Sequence, residues 1–221
     1  SYPLLERVIL TADDADVIGP SSAVATLFPE SPLETNSWAL VTLSGAPGSS
    51  VSNLRLVDGL HGVVVSGGTG IGLTGLTVES PSQDGVQVTG GAVVDASNVS
   101  ITGAGNYGVL ASSATIRMTG GLVDNVARSG VYLTAASNSV IREAEIRRSG
   151  DDGIRIESNS NNVSILGNII ADNARANTSD HGVRATASSN GSGVIAGNTV
   201  SGQAGANEIG IQTIGSGWLV G

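Results

Sequence analysis

The sequence predicts an all-β solenoid, in which coils of three short strands stack by parallel pairing about nine times over. Three observations predict it. A glycine followed by an aliphatic residue recurs seven times, at spacings of 23, 23, 22, 23, 29 and 28 residues. Between these glycines lie short β-branched stretches that alternate in polarity and are bounded by Gly, Ser, Asn or Asp, which is strand chemistry. The composition then fits a narrow core: 32 of 221 residues are glycine, 40% are hydrophobic and only 3% are aromatic. A compact globule draws much of its buried area from rings, at ~150–250 Å² each. A thin column of Val, Ile, Leu and Ala does not.

The elements follow in order. Val8–Leu10, Val17–Ile18 and Val24–Leu27 form a first, irregular coil. Ala39–Leu43, Val51 and Leu54–Leu56 form the next. The seven glycine segments follow: His61-Gly62-Val63, Asp84-Gly85-Val86, Tyr107-Gly108-Val109, Ser129-Gly130-Val131, Asp152-Gly153-Ile154, His181-Gly182-Val183 and Ile209-Gly210-Ile211. Each starts a coil whose second and third strands come from stretches such as Ile71–Leu73 and Leu76–Val78, or Val163–Ile165 and Ile169–Ile170. One coil cannot bury its inner face alone, whereas a stack buries a continuous column. At ~4.8 Å per coil, nine coils make a rod of roughly 40 Å. The repeated glycine is expected at a corner that needs freedom in φ. Ser216–Gly221 matches the register of Gly193–Gly197, so the chain is expected to stop in mid-coil, as a piece of a longer protein or with ends that template association.

Composition also excludes. A net charge of −9 argues against nucleic acid, which calls for a basic stripe, and against an anionic membrane surface. No run of about 18 apolar residues crosses a bilayer. Cysteine is absent, which removes disulfides, thiolate metal sites and cysteine nucleophiles. Lysine is absent too, so all ten positive charges are arginine. Neither the two histidines nor the acids assemble a ligand set, so no metal and no cofactor is expected. Calcium at Asp151, Asp152 and Asp180 lacks a supporting aspartate-rich glycine repeat.

The motifs Asp152-Gly153-Ile154-Arg155-Ile156 and Gly167-Asn168-Ile169-Ile170 resemble those of the right-handed parallel β-helices of the pectate-lyase-like superfamily. The likeness covers nearly the whole chain. It implies one right-handed β-helix domain over residues 1–221, with 1–36 irregular and 37–221 regular. That superfamily includes pectate lyases, polygalacturonases, alginate lyases, epimerases, tailspikes and non-catalytic surface proteins. The resemblance therefore implies a polysaccharide partner and an extracellular, cell-surface or virion location. Tailspikes are trimers, so a trimer is one expected assembly and end-to-end association another.

Stacking turns sequence columns into ladders. Two residues after each glycine the outward column reads Val64, Gln87, Leu110, Tyr132, Arg155, Arg184, Gln212. Two residues further it reads Ser66, Thr89, Ser112, Thr134, Glu157, Thr186, Ile214. Chemistry concentrates on coils four to six, beside the two longest coils, whose extra residues lie in 172–180 and 201–208. Tyr132, Arg155, Glu157, Arg184 and Gln212 are the expected substrate-binding residues there, since arginine grips carboxylated or sulfated sugars by paired hydrogen bonds.

Asp151, Asp152 and His181 are the candidate catalytic residues. Ser149-Gly150-Asp151-Asp152 resembles the Gly-Asp-Asp element of polygalacturonases, and His181-Gly182 their Gly-His-Gly element. Inverting glycosidases use two carboxyls ~6.5–9.5 Å apart, one as acid and one activating water. The resemblance has gaps: Ser129 stands where an aspartate is called for, Asp180 precedes His181 in place of glycine, and no Arg-Ile-Lys follows. Without lysine, lyase chemistry would fall to Arg155 or Arg184, and the Asp-Pro-His of epimerases is absent. The alternative is a non-catalytic structural or adhesive module of a fibre, phage tail or cell-surface protein.

Overall fold

The computed structural model describes residues 8–20, 25–29, 38–176, 180–186, 191–203, 209–215 and 217–221. Among them every regular element is a strand of three to six residues. The strands form three parallel sheets, of nine, nine and eight strands, and each sheet takes every third strand of the chain. The first sheet runs from Val8–Leu10 to Ile211–Ile214, the second from Asp16–Ile18 to Trp218–Val220, and the third from Ala25–Leu27 to Thr199–Ser201. This is the all-β parallel solenoid that the glycine period predicts.

The register is the one the sequence columns imply. Val63, Val86, Val109, Val131, Ile154, Val183 and Ile211 stand opposite one another on successive strands. Their side chains point inward, and from Val63 to Val183 all are buried. The core is one aliphatic column from Leu27 to Ile195, and its largest fully buried side chains are Leu, Ile and Met. Outward residues alternate with inward ones, as the two-residue period of a strand requires.

Corners are set by left-handed residues. Between the second and third sheets the same position reads Asn53, Gly75, Asn98 and Gly120, with φ of 56°, 60°, 51° and 66°. Asparagine and glycine are the residues that enter this region at least cost.

The repeat glycines have a different cause from the one expected. None of Gly62, Gly85, Gly108, Gly130, Gly153, Gly182 and Gly210 has a positive φ. A Cβ on Gly108 would instead lie 2.3 Å from Val123 Cγ1 and 2.6 Å from the carbonyl oxygen of Gly130. The same clash with the next glycine's carbonyl, at 2.6–2.7 Å, recurs at Gly62, Gly85, Gly130, Gly153 and Gly182. From Gly62 to Gly182 the column is glycine because consecutive coils approach too closely for any side chain; at Gly210 a Cβ would meet only Val200, at 3.5 Å.

Gly108→Ala is therefore expected to cost about 1–3 kcal/mol, the range of overpacked cores. Gly72→Ala is the control: its Cβ would meet only Ser50 Cβ, at 3.4 Å. It should leave stability unchanged or slightly raised, as a relieved glycine does. Urea unfolding followed by circular dichroism separates the two, and equal loss in both variants would refute the steric account.

Candidate functional site

The outward column holds Tyr132, Arg155, Arg184 and Gln212 on four consecutive strands of the first sheet, in the expected order. Glu157 stands in the neighbouring outward column, opposite Thr134 and Thr186. These five residues share one face and are half-buried. Arg155 donates from Nε to Glu157 Oε1 at 2.8 Å, and the Tyr132 hydroxyl donates to Glu157 Oε2 at 2.8 Å. Burial pushes the Glu157 carboxyl up, but the Tyr132 hydroxyl and the Arg155 guanidinium outweigh it and hold the group below its ordinary range. Burial, reinforced by the Glu157 bond, raises the Tyr132 hydroxyl, which stays a donor.

Two residues that column reading passed over complete the face. The Tyr107 ring lies 4.9 Å from that of Tyr132, tilted by 38°. The Arg128 guanidinium covers Tyr107 at 4.8 Å, and Arg155 approaches the Tyr132 ring at 5.7 Å. Such contacts between cations and rings contribute ~0.5–1 kcal/mol each when exposed. Arg128 also pairs with Asp151, Nε to Oδ2, at 3.3 Å. The missed signal was one position further back: Leu60, Gln83, Asn106, Arg128 and Asp151 stack through backbone hydrogen bonds into a column of their own. Beside this column a recess of about 460 Å³ brings in Asn125, Arg148 and Arg175.

The charge distribution favours this region. Seven of the ten arginines fall between residues 124 and 184, against eight acids; the rest of the chain has three arginines against eleven acids. The excess negative charge is therefore carried mostly elsewhere.

Four of the seven residues just before the repeat glycines, Asp84, Ser129, Asp152 and His181, are buried polar groups that turn inward. Asp152 is fully buried and His181 nearly so, whereas Asp151 keeps some exposure beside Arg128. In this corner four acceptor side chains take the backbone N–H of the matching residue one coil on, while Ser129 Oγ has no partner among the described residues. His61 Nδ1 accepts from Asp84, Asp84 Oδ1 from Tyr107, Asp152 Oδ1 from His181 and His181 Nδ1 from Ile209, at 3.3, 3.1, 2.6 and 3.3 Å.

Asp84 and Asp152 make the same backbone bond in different surroundings. Asp84 receives two more donors, Asn106 Nδ2 on Oδ1 at 2.8 Å and Gln87 Nε2 on Oδ2 at 3.3 Å. At Asp152 the residue matching Gln87 is Arg155, which bonds Glu157 instead. The residue matching Asn106 is Asp180, a second buried acid in place of the amide. Asp152 Oδ2, Asp180 Oδ2 and Arg184 Nε are left without hydrogen-bond partners among the described residues. Burial first, then the charge of Asp180, raises Asp152 to about 6 in spite of the His181 N–H, Arg184 and Arg155. The expected groove walls, 172–180 and 201–208, include 177–179 and 204–208, which lie outside the described residues.

A family model described as right handed beta helix region matches residues 61–217. The chain belongs to the right-handed β-helix family. No curated protein matches it. Solved β-helices that resemble it include the catalytic domain of a GH87 α-1,3-glucanase in complex with nigerose, at 9% identity and a TM-score of 0.64. That match covers 95% of this chain and 48% of the glucanase domain, so this β-helix spans about half of that domain's length. The A-module of the Azotobacter vinelandii mannuronan C-5 epimerase AlgE4 matches at 16% identity and a TM-score of 0.53, over 83% of this chain and 73% of that one. The enzymatically active domain of bacteriophage CBA120 tailspike protein 2 matches at 12% identity and a TM-score of 0.56, over 97% and 40%. At these identities the likeness is one of fold, the right-handed parallel β-helix.

Asp152 sets a pH dependence. Its folded value, about 6, lies above the ordinary 3.8, so the folded state holds the proton more tightly. Its contribution is greatest below 3.8, falls as pH rises through 6, and above that leaves a cost of about 3 kcal/mol. Stability is expected to rise by about 1 kcal/mol between pH 7 and pH 5. Asp152→Asn keeps the Oδ1 acceptor and should remove this dependence while raising stability at pH 7. Asp180→Asn restores the donor that Asn106 supplies to Asp84 and should act in the same direction. Urea midpoints that do not move between pH 7 and pH 5 in the wild type would refute the assignment.

Proposed function

We propose that this β-helix binds an acidic polysaccharide along the outward face of its first sheet. The observation that carries the reading is the unbroken column Tyr132, Arg155, Arg184, Gln212, which offers a ring, two guanidiniums and an amide coil by coil. The step between them is the strand spacing, about 4.8 Å, so an extended glycan lying along the rod meets one side chain per coil. Tyr132 supplies a ring face backed by Tyr107, against which a sugar packs. The arginines take carboxylate or sulfate by paired hydrogen bonds, and Glu157, held ionised, accepts from sugar hydroxyls. The likeness to an α-1,3-glucanase bound to nigerose, a mannuronan epimerase and a tailspike supports a polysaccharide as the ligand class. An extracellular or virion setting belongs to the same proposal and rests on the tailspike likeness.

The reading is one of recognition. Asp152 holds a proton below about pH 6, as a general acid must. Its carboxyl is nonetheless closed off from solvent and bonded to the His181 backbone, and His181 is spent on Ile209. Hydrolysis through Asp151, Asp152 and His181 would require this corner to open.

Polygalacturonate, alginate and a sulfated glycan should bind in titration calorimetry, with dextran as the neutral control. Arg184→Gln is expected to weaken binding about tenfold or more, the scale of one charge-assisted hydrogen bond, and Tyr132→Ala to weaken it on every glycan that binds. Binding that survives both variants unchanged would sink the proposal. New reducing ends that disappear in Asp151→Asn and Asp152→Asn would add hydrolysis to it.

A further inference from the structure

A second face carries a groove that the first-sheet site does not use. It measures about 560 Å³ and lies on the second sheet. It crosses four consecutive strands, Ile71–Thr74, Val93–Ser97, Thr115–Thr119 and Val140–Arg142. Two outward columns form it. One reads Gly72, Asp95, Arg117, Val140 and the other Thr74, Ser97, Thr119, Arg142.

The lining is selective in its chemistry. Thr74, Ser97 and Thr119 form a row of hydroxyls, with Ser97 donating to Thr74 at 3.3 Å. Arg142 donates from Nε to Thr119 Oγ1 at 2.9 Å. That bond orients the guanidinium, which has no carboxylate partner among the described residues. Arg117 reaches Asp95 only at 3.4 Å, and both side chains are about half exposed or more. Such a pair contributes ~0–1 kcal/mol, so a ligand acid exchanges for it at little cost. Gly72 leaves one end of the floor open, with no side chain to fill it.

We infer that this second-sheet groove is a separate binding site for an acidic oligosaccharide. Arg142 and Arg117 take its carboxylate or sulfate, while Asp95 and the Thr74–Ser97–Thr119 row take its hydroxyls. Both halves of that chemistry are required: a simple anion leaves Asp95 and the hydroxyl row unused, and a neutral sugar leaves the guanidiniums unpaired. Among the described residues no aromatic side chain lines the groove, so they offer a nucleobase no stacking surface. The site stands on residues different from those of the first sheet and does not rest on that proposal. Together the two faces make the rod bivalent toward a long acidic polymer, which raises its hold on the polymer without new contacts.

The test is titration of the full chain with a short oligogalacturonate and a short sulfated oligosaccharide, with a neutral oligosaccharide as control. Arginine side-chain ¹⁵N–¹H signals are followed alongside the heat. For at least one acidic ligand the Arg142 Nε signal should shift. The double variant Arg117→Gln/Arg142→Gln should lose one of two binding sites, or about tenfold or more in affinity if the sites are not resolved. Gly72→Leu, whose Cβ would meet only Ser50 Cβ, at 3.4 Å, fills the floor and should do the same, with the unfolding midpoint measured alongside to show that the variant is folded. Tyr132→Ala should leave this site intact. An Arg142 signal unmoved by every ligand, or a stoichiometry and affinity unchanged in both groove variants, overturns the inference. Loss in the groove variants with no effect of Tyr132→Ala or Arg184→Gln would uphold it and count against the first-sheet reading.

Discussion

From Gly85 to Gly210 the carbonyl oxygen of each repeat glycine occupies the space that a side chain on the preceding glycine would need. This close approach of backbone to backbone sets the pitch and register of the stack. Each coil begins at the same point relative to its neighbour, so the residues that follow fall into straight columns. The inward columns become a continuous aliphatic core and the outward columns become ladders. A side chain on any of these six glycines, from Gly62 to Gly182, would push two coils apart and bend every ladder crossing that point.

The same corner carries the polar counterpart of that constraint. Backbone N–H groups that turn into the first sheet are buried, and a buried donor without a partner costs ~1–3 kcal/mol. His61, Asp84, Asp152 and His181 answer this by accepting from the next coil. Other corners use the amides of Asn168, Asn173 and Asn198, each of which bonds to the preceding coil, and Asn168 also donates to Asn198 on the next. The two histidines therefore share a column because imidazole Nδ1 suits one structural task. Asp152 is the exception within this scheme. It performs the structural bond, yet its surroundings have replaced two neutral donors with an arginine turned elsewhere and a second acid. A buried group carrying such a mismatch is a recognised mark of functional sites, though structural networks produce it as well.

The aromatic residues acquire a meaning that scarcity alone did not supply. Six rings in 221 residues leave the core aliphatic, so Tyr107 and Tyr132 have no packing task inside the column. They stack on each other at its surface, beneath two arginines. Their placement, between a corner rich in arginine and a ladder rich in polar groups, gives the first-sheet face its combination of flat apolar area and fixed charge. The groove on the second sheet lacks that area and relies on hydroxyls and guanidiniums alone.

The coils, their parallel register and the alternation of inward and outward residues were legible in the chain, because a glycine period and a two-residue polarity period survive without any three-dimensional information. Tyr132, Arg155, Glu157, Arg184 and Gln212 were placed correctly on one face for that reason: each lies at a fixed offset from a repeat glycine. Three things were decided only by the tertiary structure. Asp152 and His181 turn into the corner, because the turn and not the strand alternation sets their direction. Tyr107 meets Tyr132 across two different columns, since long side chains lean beyond their own positions. The second-sheet groove depends on Gly72 having nothing where its neighbours carry Asp95 and Arg117, a difference in depth that no period in the sequence encodes. Sequence period determines which residues share a column; the packing of one coil on the next determines where each side chain ends.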